Sequence, residues 1–410
     1  MDSRRVVVTG MGTVNPLGLN VEEFWGGLVA GKSGIGPITR FDASNFSVKV
    51  DAEVKGFDPT QYMDLKAVDR NPRTVHLAIA AAKEAIKSAN LDMNGESPER
   101  IGISIACMVE TAYVVAQNEL IKNRGPRRAD PLFIAKSSPS AASMQVGMFL
   151  GAKGPNSSVN SLCAAGADAI GTAANFIHLG YADVMVAGGA DSSLGPIGIA
   201  GIDVLGALSR EADPAKASRP FDLNRSGFVY GEGAGVIVLE SYEHARKRGV
   251  PILAELAGAG WSFDAYNQTA PAPEAEAYAM KTALDSARVN LEEVDYINAH
   301  GTSTKLNDAC ETKAIKIVFG DRVNKIPISS TKSMVGHIIT AAGGIEAIAC
   351  ILMLNKGILH PTINYETPDP ECDLDYIPNA ARQASVDICL SNSFGLGGEN
   401  CCLVIRRFSG

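Results

Sequence analysis

Two kinds of run alternate along the whole chain. Short β-branched stretches, apolar at nearly every position, are followed by longer Ala-rich stretches with helical spacing. The first part predicts strands near 5–9, 101–107, 158–162, 184–187 and 236–240, with helices near 73–89, 138–150 and 164–179. A second series follows, with strands near 252–259, 295–299, 326–330, 386–391 and 401–406 and helices near 274–289, 307–318 and 338–355. Strands apolar on both faces are covered on both faces, so the pattern predicts an α/β fold with buried sheets. Each series also holds a polar strand end, a reactive side chain and then an apolar small-residue helix: NSLCAAGADAIGTAANFI in the first, STKSMVGHIITAAGGIEAIACIL in the second. Helices rich in Gly and Ala on every face belong between layers. The pattern reads as a duplicated architecture of two packed halves, 1–250 and 251–410, meeting near the turn at 246–251.

Composition narrows the class. Of 410 residues 46% are apolar, 20% charged and 6% aromatic, enough for a large core. At roughly 150 residues per domain the length allows two or three domains, or two fused halves. Lys and Arg number 37 against 45 Asp and Glu, a net charge of −8, so nothing global attracts nucleic acid or an anionic membrane. The longest apolar run, 338–354, carries Glu346 and is shorter than the ~20 residues that span a bilayer. No membrane helix is expected, and MDSRRVVVTGMG lacks the apolar region of a secretory signal, so the expected address is the cytoplasm. Eight dispersed cysteines without a CxxC pair read as reduced thiols.

One thiol stands apart. Cys163 sits where a strand gives way to a helix, a place where the helix N-terminus lowers a thiol pKa. Cys107, Cys350, Cys389, Cys401 and Cys402 read as small buried apolar residues. Among six histidines, 76, 178 and 244 lie in helical patterns and 360 precedes a proline. His300 ends a strand and opens NAHGTSTKLND; His337 follows Gly336 before a buried helix. A metal held by His300 and His337 lacks a further ligand at a recognised spacing, so no catalytic metal is expected. Lys332, in SSTKSMVGH, reads as a paired, buried ammonium. VTGMGTVNPLG mimics a dinucleotide fingerprint but has Asn15 at the third glycine position, and reads as a turn. FGLGGEN is either a structural turn or a source of backbone N–H groups for an oxyanion.

Together these segments resemble the β-ketoacyl-[acyl carrier protein] synthases, in their type II elongating branch, over essentially the whole chain. The resemblance rests on VVVTGMGTVNPLG, the segment around Cys163, ALSREADPAKASRPFDLNRSGFVYGEGAGVIVLE, NAHGTSTKLND, SSTKSMVGH and NSFGLGGEN, in the family's order. It implies the thiolase fold, two similar halves in five αβαβα layers, working as a homodimer. The N-terminal half would then carry the nucleophile and the dimer interface, and the C-terminal half the two histidines. The resemblance makes Cys163 the acyl-accepting nucleophile and His300 and His337 the donors to the enolate left when malonyl-carrier loses carbon dioxide. It implies a buried Lys332–Glu311 pair, a phosphopantetheine tunnel lined by Thr302 and Thr304, and an oxyanion hole from the N–H groups of Cys163 and Leu396 with Phe394 beside the nucleophile. Asn298, Glu346 and Asn392 match residues around a structural monovalent cation in some relatives. No dissociable cofactor is implied, since substrates arrive on the phosphopantetheine of acyl carrier protein.

Several positions depart from the family pattern. Leu396 replaces a gating phenylalanine, Met108 part of a glycine-rich loop and Ile202 a phenylalanine, the last two lining the acyl pocket. Ser161 and Leu162 replace Thr-Ala, Lys305 a proline and Glu399 a threonine. The implied partner is acidic, so the chain needs a local basic patch: Arg127 and Arg128 match a docking position, with Lys66 and Arg70 beside them. Three rivals remain. A noncatalytic chain-length partner lacks the nucleophile, a thiolase needs a second catalytic cysteine, and an initiating synthase pairs Cys and His with Asn. The sequence leaves open whether the products serve fatty-acid synthesis or a specialised polyketide or polyene pathway.

Overall fold

The computed structural model describes residues 4–410. Ten strands form one mixed sheet: β1 (Val6–Val14), β2 (Ile101–Cys107), β3 (Asn156–Ser157), β4 (Val184–Asp191), β5 (Gly233–Ser241), β6 (Ala254–Phe263), β7 (Tyr296–Asn298), β8 (Ile328–Ser329), β9 (Ile388–Phe394) and β10 (Glu399–Arg406). Their order is β8-β7-β9-β10-β6-β1-β5-β4-β2-β3. Outward from the centre, β1, β5, β4, β2, β3 on one side repeat β6, β10, β9, β7, β8 on the other. Directions repeat as well: β1/β5 and β5/β4 are antiparallel and β4/β2 and β2/β3 parallel, as are their counterparts. The two half-sheets join edge to edge along β1 and β6, where Val7 pairs with Glu255 and Val8 with Ala254.

Three apolar cores separate the layers. Arg73–Ser88 (α1) and Ala141–Leu150 (α2) cover the first half-sheet through Val75, Ile79, Val146 and Ile103. Pro273–Ala287 (α4) and Lys305–Phe319 (α5) cover the second through Met280, Leu284, Ile315 and Ile297. Between the half-sheets lie Ala165–His178 (α3) and Ala342–Lys356 (α6), and their core joins Ile170, Ile177, Ile345 and Ile348 to Ile237 and Leu403. The order is αβαβα. The run Ile339–Lys356 is long and apolar enough, by composition alone, to cross a membrane; 89% of it is buried inside the protein, as the middle layer requires.

The local differences from the sequence pattern have physical causes. The strand expected at 158–162 is only Asn156–Ser157, because Leu162 takes φ 50° and bends the chain into a 3-10 turn, Leu162–Ala164. The segment read as a turn at VTGMGTV is the continuous strand β1, bulged between Val8 and Gly10. Its glycines bring the strand against α1, where a Cβ on Gly10 or Gly12 would strike the carbonyls of Ala85 and Ala81. Helices Thr111–Arg124 and Pro196–Asp203 escape the apolar pattern because the first buries no residue fully and the second only Ile199.

Candidate active site

The ends of strands from both half-sheets converge on one cavity of about 330 Å³, lined by Cys163, Phe228, His300, Thr302, Thr304, His337, Phe394 and Leu396 among others. Cys163 occupies the middle of the 3-10 turn that opens α3. His300 follows β7, and its backbone N–H donates to Glu311 Oε1 at 2.8 Å while Gly301 N–H donates to Oε2 at 2.8 Å. Both amides of the bend are thus fastened to one buried carboxylate on α5. His337 is fixed through its backbone, with its N–H on Val229 O at 2.7 Å and its carbonyl accepting from Gly231 N–H at 2.9 Å. The preceding Gly336 has φ 69°, and a Cβ there would lie 2.9 Å from Ala52 Cβ, so only glycine suits this bend. The imidazoles stand edge to face, centroids 5.4 Å apart, with Phe394 5.8 Å from His300 and Phe228 5.1 Å from His337.

The sulfur and one nitrogen of each imidazole lie within 4.8 Å of one another. Among the described residues His337 Nδ1 and Nε2 and His300 Nδ1 have no hydrogen-bond partner, so they are available to a ligand. Burial and the Lys332 ammonium, and for His300 also His337, hold both histidines well below their ordinary pKa, as neutral imidazoles. The sequence expectation of a lowered Cys163 pKa is corrected. Burial pushes the half-buried thiol up to about 11, against the opposing N–H groups of Leu396 and Cys163 and the Lys332 charge. A neutral thiol beside neutral imidazoles is a nucleophile with a base at hand. Cys, His and His also make a zinc-like donor set, and an ion there would occupy the sulfur and leave no free thiol.

A second correction concerns the buried ion pair. Lys332 Nζ donates to Glu346 Oε1, not to Glu311. Lys332 begins the short turn Lys332–Val335, packed over the start of α6 where Glu346 lies, whereas the Glu311 oxygens are taken by the two amides and by Asn392 Nδ2 at 3.1 Å. Burial pushes Glu311 up to about 7. Of the residues weighed for a cation, Asn298 Oδ1 and Glu346 Oε2 are buried without partners and suit a hard ion. Asn392 does not join them, since its Oδ1 accepts from Cys402 Sγ at 3.3 Å.

The remaining candidates divide between two environments. Thr302 and Thr304 line the cavity with hydroxyls 3.0 Å apart. Met108 and Ile202 pack with Cys163 on a separate apolar cluster. Gly395–Gly398 is both a tight turn, Gly395 N–H to Glu399 O at 2.7 Å, and the carrier of the Leu396 N–H that reaches the sulfur. Arg127 and Arg128 are exposed on the turn Pro126–Arg128, and Lys66 and Arg70 on the helix Leu65–Arg70. Lys136, in the helix Phe133–Lys136 that follows the turn, donates through Nζ to Asp69 O of the helix Leu65–Arg70 at 3.4 Å. Sequence reasoning missed Phe228 and Asp191. The first lies in the quoted segment FVYGEGAG, but nothing in the pattern marks it as facing the cavity.

The matching family models are "Beta-ketoacyl synthase, N-terminal domain" over residues 3–245 and "Beta-ketoacyl synthase, C-terminal domain" over 253–366. The chain belongs to the β-ketoacyl synthases. This synthase is 45% identical to the 3-oxoacyl-[acyl-carrier-protein] synthase 2 of Coxiella burnetii, over 99% of each chain. Among solved structures it resembles the ishigamide ketosynthase/chain length factor, with a TM-score of 0.93 and 36% identity over 99% of this chain and 100% of that one. It also resembles a type II PKS ketosynthase bound to the hexaketide, in complex with its acyl-carrier protein, with a TM-score of 0.91 and 37% identity over 100% of each chain. The five-layer arrangement of this synthase is thiolase-like, and its class of chemistry is acyl transfer with Claisen condensation.

Proposed function

We propose that this synthase elongates acyl chains by two carbons, holding the growing chain on Cys163 and taking the extender from malonyl-loaded acyl carrier protein. The observation that carries this reading is the convergence of one thiol and two unpartnered neutral imidazoles within 4.8 Å at the end of a cavity. An imidazole takes the thiol proton as sulfur attacks the acyl-carrier thioester, and the N–H groups of Cys163 and Leu396 stabilise the tetrahedral oxyanion. The carrier leaves as its thiol and the acyl group stays on sulfur. Malonyl-carrier then enters past Thr302 and Thr304. Loss of carbon dioxide leaves an enolate whose oxygen accepts hydrogen bonds from His300 and His337. Its carbon attacks the acyl thioester, the new C–C bond forms, and the Cys163 sulfur leaves.

Lys332 keeps the imidazoles neutral, and Glu311 orients the backbone of His300. A monovalent ion, if bound, would be held by Asn298 and Glu346 and would supply fixed positive charge beneath the site. The exposed Arg127, Arg128, Lys66 and Arg70 suit an acidic carrier, against the overall charge of −8. Asn156–Ser157 is an edge strand with an exposed Asn156, which supports pairing of two copies into a homodimer. The address we assign is the cytoplasm.

A second reading, a ketosynthase of a polyketide or polyene pathway, is favoured by the likeness to the type II PKS ketosynthase; a noncatalytic partner is disfavoured by Cys163 itself. The test is intact mass of the protein after incubation with carrier proteins bearing acyl chains of graded length. An adduct mapping to Cys163 and cleared by malonyl-carrier is expected. An adduct elsewhere, or one that malonyl-carrier leaves in place, overturns the reading.

A further inference from the structure

Leu162, the residue before the nucleophile, has φ 50°, a left-handed conformation that leucine keeps only where its surroundings hold it. Packing alone is poorly placed to do so, because Leu162 and Cys163 are only half-buried and Cys163 opens onto the cavity. The second half of the chain makes the same bend at Ile339, with φ 33°. Matching LCAAG at 162–166 to ITAAG at 339–343 sets Ile338 and Ile345 opposite positions 161 and 168. Each is 1% exposed in the middle-layer core, so apolar packing fixes that turn. Around the nucleophile the same two positions are Ser161 and Asp168.

These two are bonded to each other. Ser161 Oγ donates to Asp168 Oδ2 at 3.0 Å, spanning Leu162 and Cys163 from the start of the 3-10 turn to the first turn of α3. The other oxygen, Asp168 Oδ1, accepts from Trp261 Nε1 of β6 at 2.9 Å and from the Thr172 hydroxyl at 3.4 Å. The indole lies over Gly171 of α3, where a Cβ would be 2.6 Å from its Cζ2, so close packing sets its place. The carbonyl of the buried Ser161 accepts the Ala164 N–H at 3.0 Å and closes the 3-10 turn. A Cβ on Gly395 would lie 2.8 Å from that same carbonyl oxygen. The residue that Asp168 holds therefore touches both pieces of backbone that carry the oxyanion donors, the turn bearing Cys163 and the turn bearing Leu396.

We propose that Asp168 is a positioning residue for acyl transfer: by holding Ser161, and held in turn by Trp261, it fixes the turn that sets the Cys163 sulfur against the imidazoles and the Leu396 N–H. The inference rests on Cys163 being the acyl acceptor. A hydrogen bond to a carboxylate is stronger than one between neutral groups, which suits a bond that must hold a strained turn beside open space. Ser161, Asp168 and Trp261 do not line the cavity, so their effect falls on the reacting geometry and not on substrate binding.

Single-turnover loading of Cys163 is followed by intact mass over a range of acyl-carrier concentrations, for the full chain and its variants. Ser161→Ala and Asp168→Ala should each lower the limiting loading rate about ten- to a hundredfold, the range of one hydrogen bond to a charged group. The half-saturating acyl-carrier concentration should stay within about twofold. Ser161→Thr, which keeps the hydroxyl, should retain the rate, and the double variant should be no slower than the slower single one, because the two changes remove the same bond. A brace with no part in the reaction would lower the melting temperature of these variants and leave the limiting rate alone. That result, or a Ser161→Thr rate as low as that of Ser161→Ala, overturns the inference while leaving the proposed function intact. If Asp168→Ala fails to melt cooperatively, Ser161→Ala against Ser161→Thr still reads the effect. No adduct on the unaltered protein removes the proposed function and this inference with it.

Discussion

Residues 162–166 read LCAAG and residues 339–343 read ITAAG. Each segment starts with a positive φ, 50° at Leu162 and 33° at Ile339, makes one 3-10 turn and runs into a helix of the middle layer. The repeat therefore places Cys163 and Thr340 at equivalent positions. Cys163 opens onto the cavity, while Thr340 is fully buried with its hydroxyl toward Ala190 O and Asp191 Oδ2. The difference comes from the strand end each elbow meets. After β9 the chain makes the Gly395–Gly398 turn, leaving space and presenting the Leu396 N–H. After β4, its counterpart, Ser192 and Ser193 continue into the interior. One elbow became a nucleophile site and the other a brace, and the surroundings, more than the elbow, decided which.

The sharpest way to break this comparison is to alter the two middle positions. Cys163→Ala should lower condensation by at least about a thousandfold. Thr340→Val leaves Asp191 one donor short and should instead cost about 1–3 kcal/mol of stability, seen in urea unfolding. Loss of condensation from Thr340→Val equal to that from Cys163→Ala would show that both elbows serve the chemistry.

A second comparison lies at the start of α6. Lys332→Met strands Glu346 without its cation and should cost about 3–5 kcal/mol in the same unfolding assay, and adding Glu346→Leu should recover much of it. Glu311→Leu in place of the second change should recover nothing, because Glu311 serves amides. Recovery there would restore the pairing that the family resemblance implied.

The smallest effect lies outside either elbow and serves as a control. His244 is held above its ordinary pKa of 6.5 by Glu240, with Glu96 also contributing; Arg248 faces the same two carboxylates, and Ser241 Oγ accepts the His244 N–H. A raised folded pKa gives stability that is complete below the unfolded value and fades as pH rises through the folded one. His244→Ala should therefore lower the urea midpoint more at pH 6 than at pH 9, with condensation unaffected. Equal shifts at both pH values would mean that the cluster carries no proton-linked stability.

Much of this was legible in the chain. Runs apolar on both faces indicated covered strands, and NSLCAAGADAI and GHIITAAGGIEAI marked the middle helices, because small residues on every face have few other uses. Cys163, His300 and His337 were legible as residue types at strand ends. Partners were not. Lys332 lies 21 residues after Glu311 and 14 before Glu346, and only the packing of the 332–335 turn on α6 chooses between them. The direction of the Cys163 pKa also depended on three dimensions: a helix start is visible in sequence, but the desolvation that outweighs it is not. Phe228 was silent because an aromatic beside a glycine reads as core.

Gly166 and Gly343 mark where the middle helices cross. A Cβ on Gly166 would lie 2.7 Å from Thr340 O, and one on Gly343 would strike the Ala167 backbone. Main chain rests on main chain there, with no side chain between that could shrink, swing or be traded for another. The spacing between a nucleophile borne by one helix and a histidine just ahead of the other is therefore a thickness of peptide, which mutation can enlarge but not reduce. Evolution could vary every wall of this site and still inherit the same reach from sulfur to imidazole.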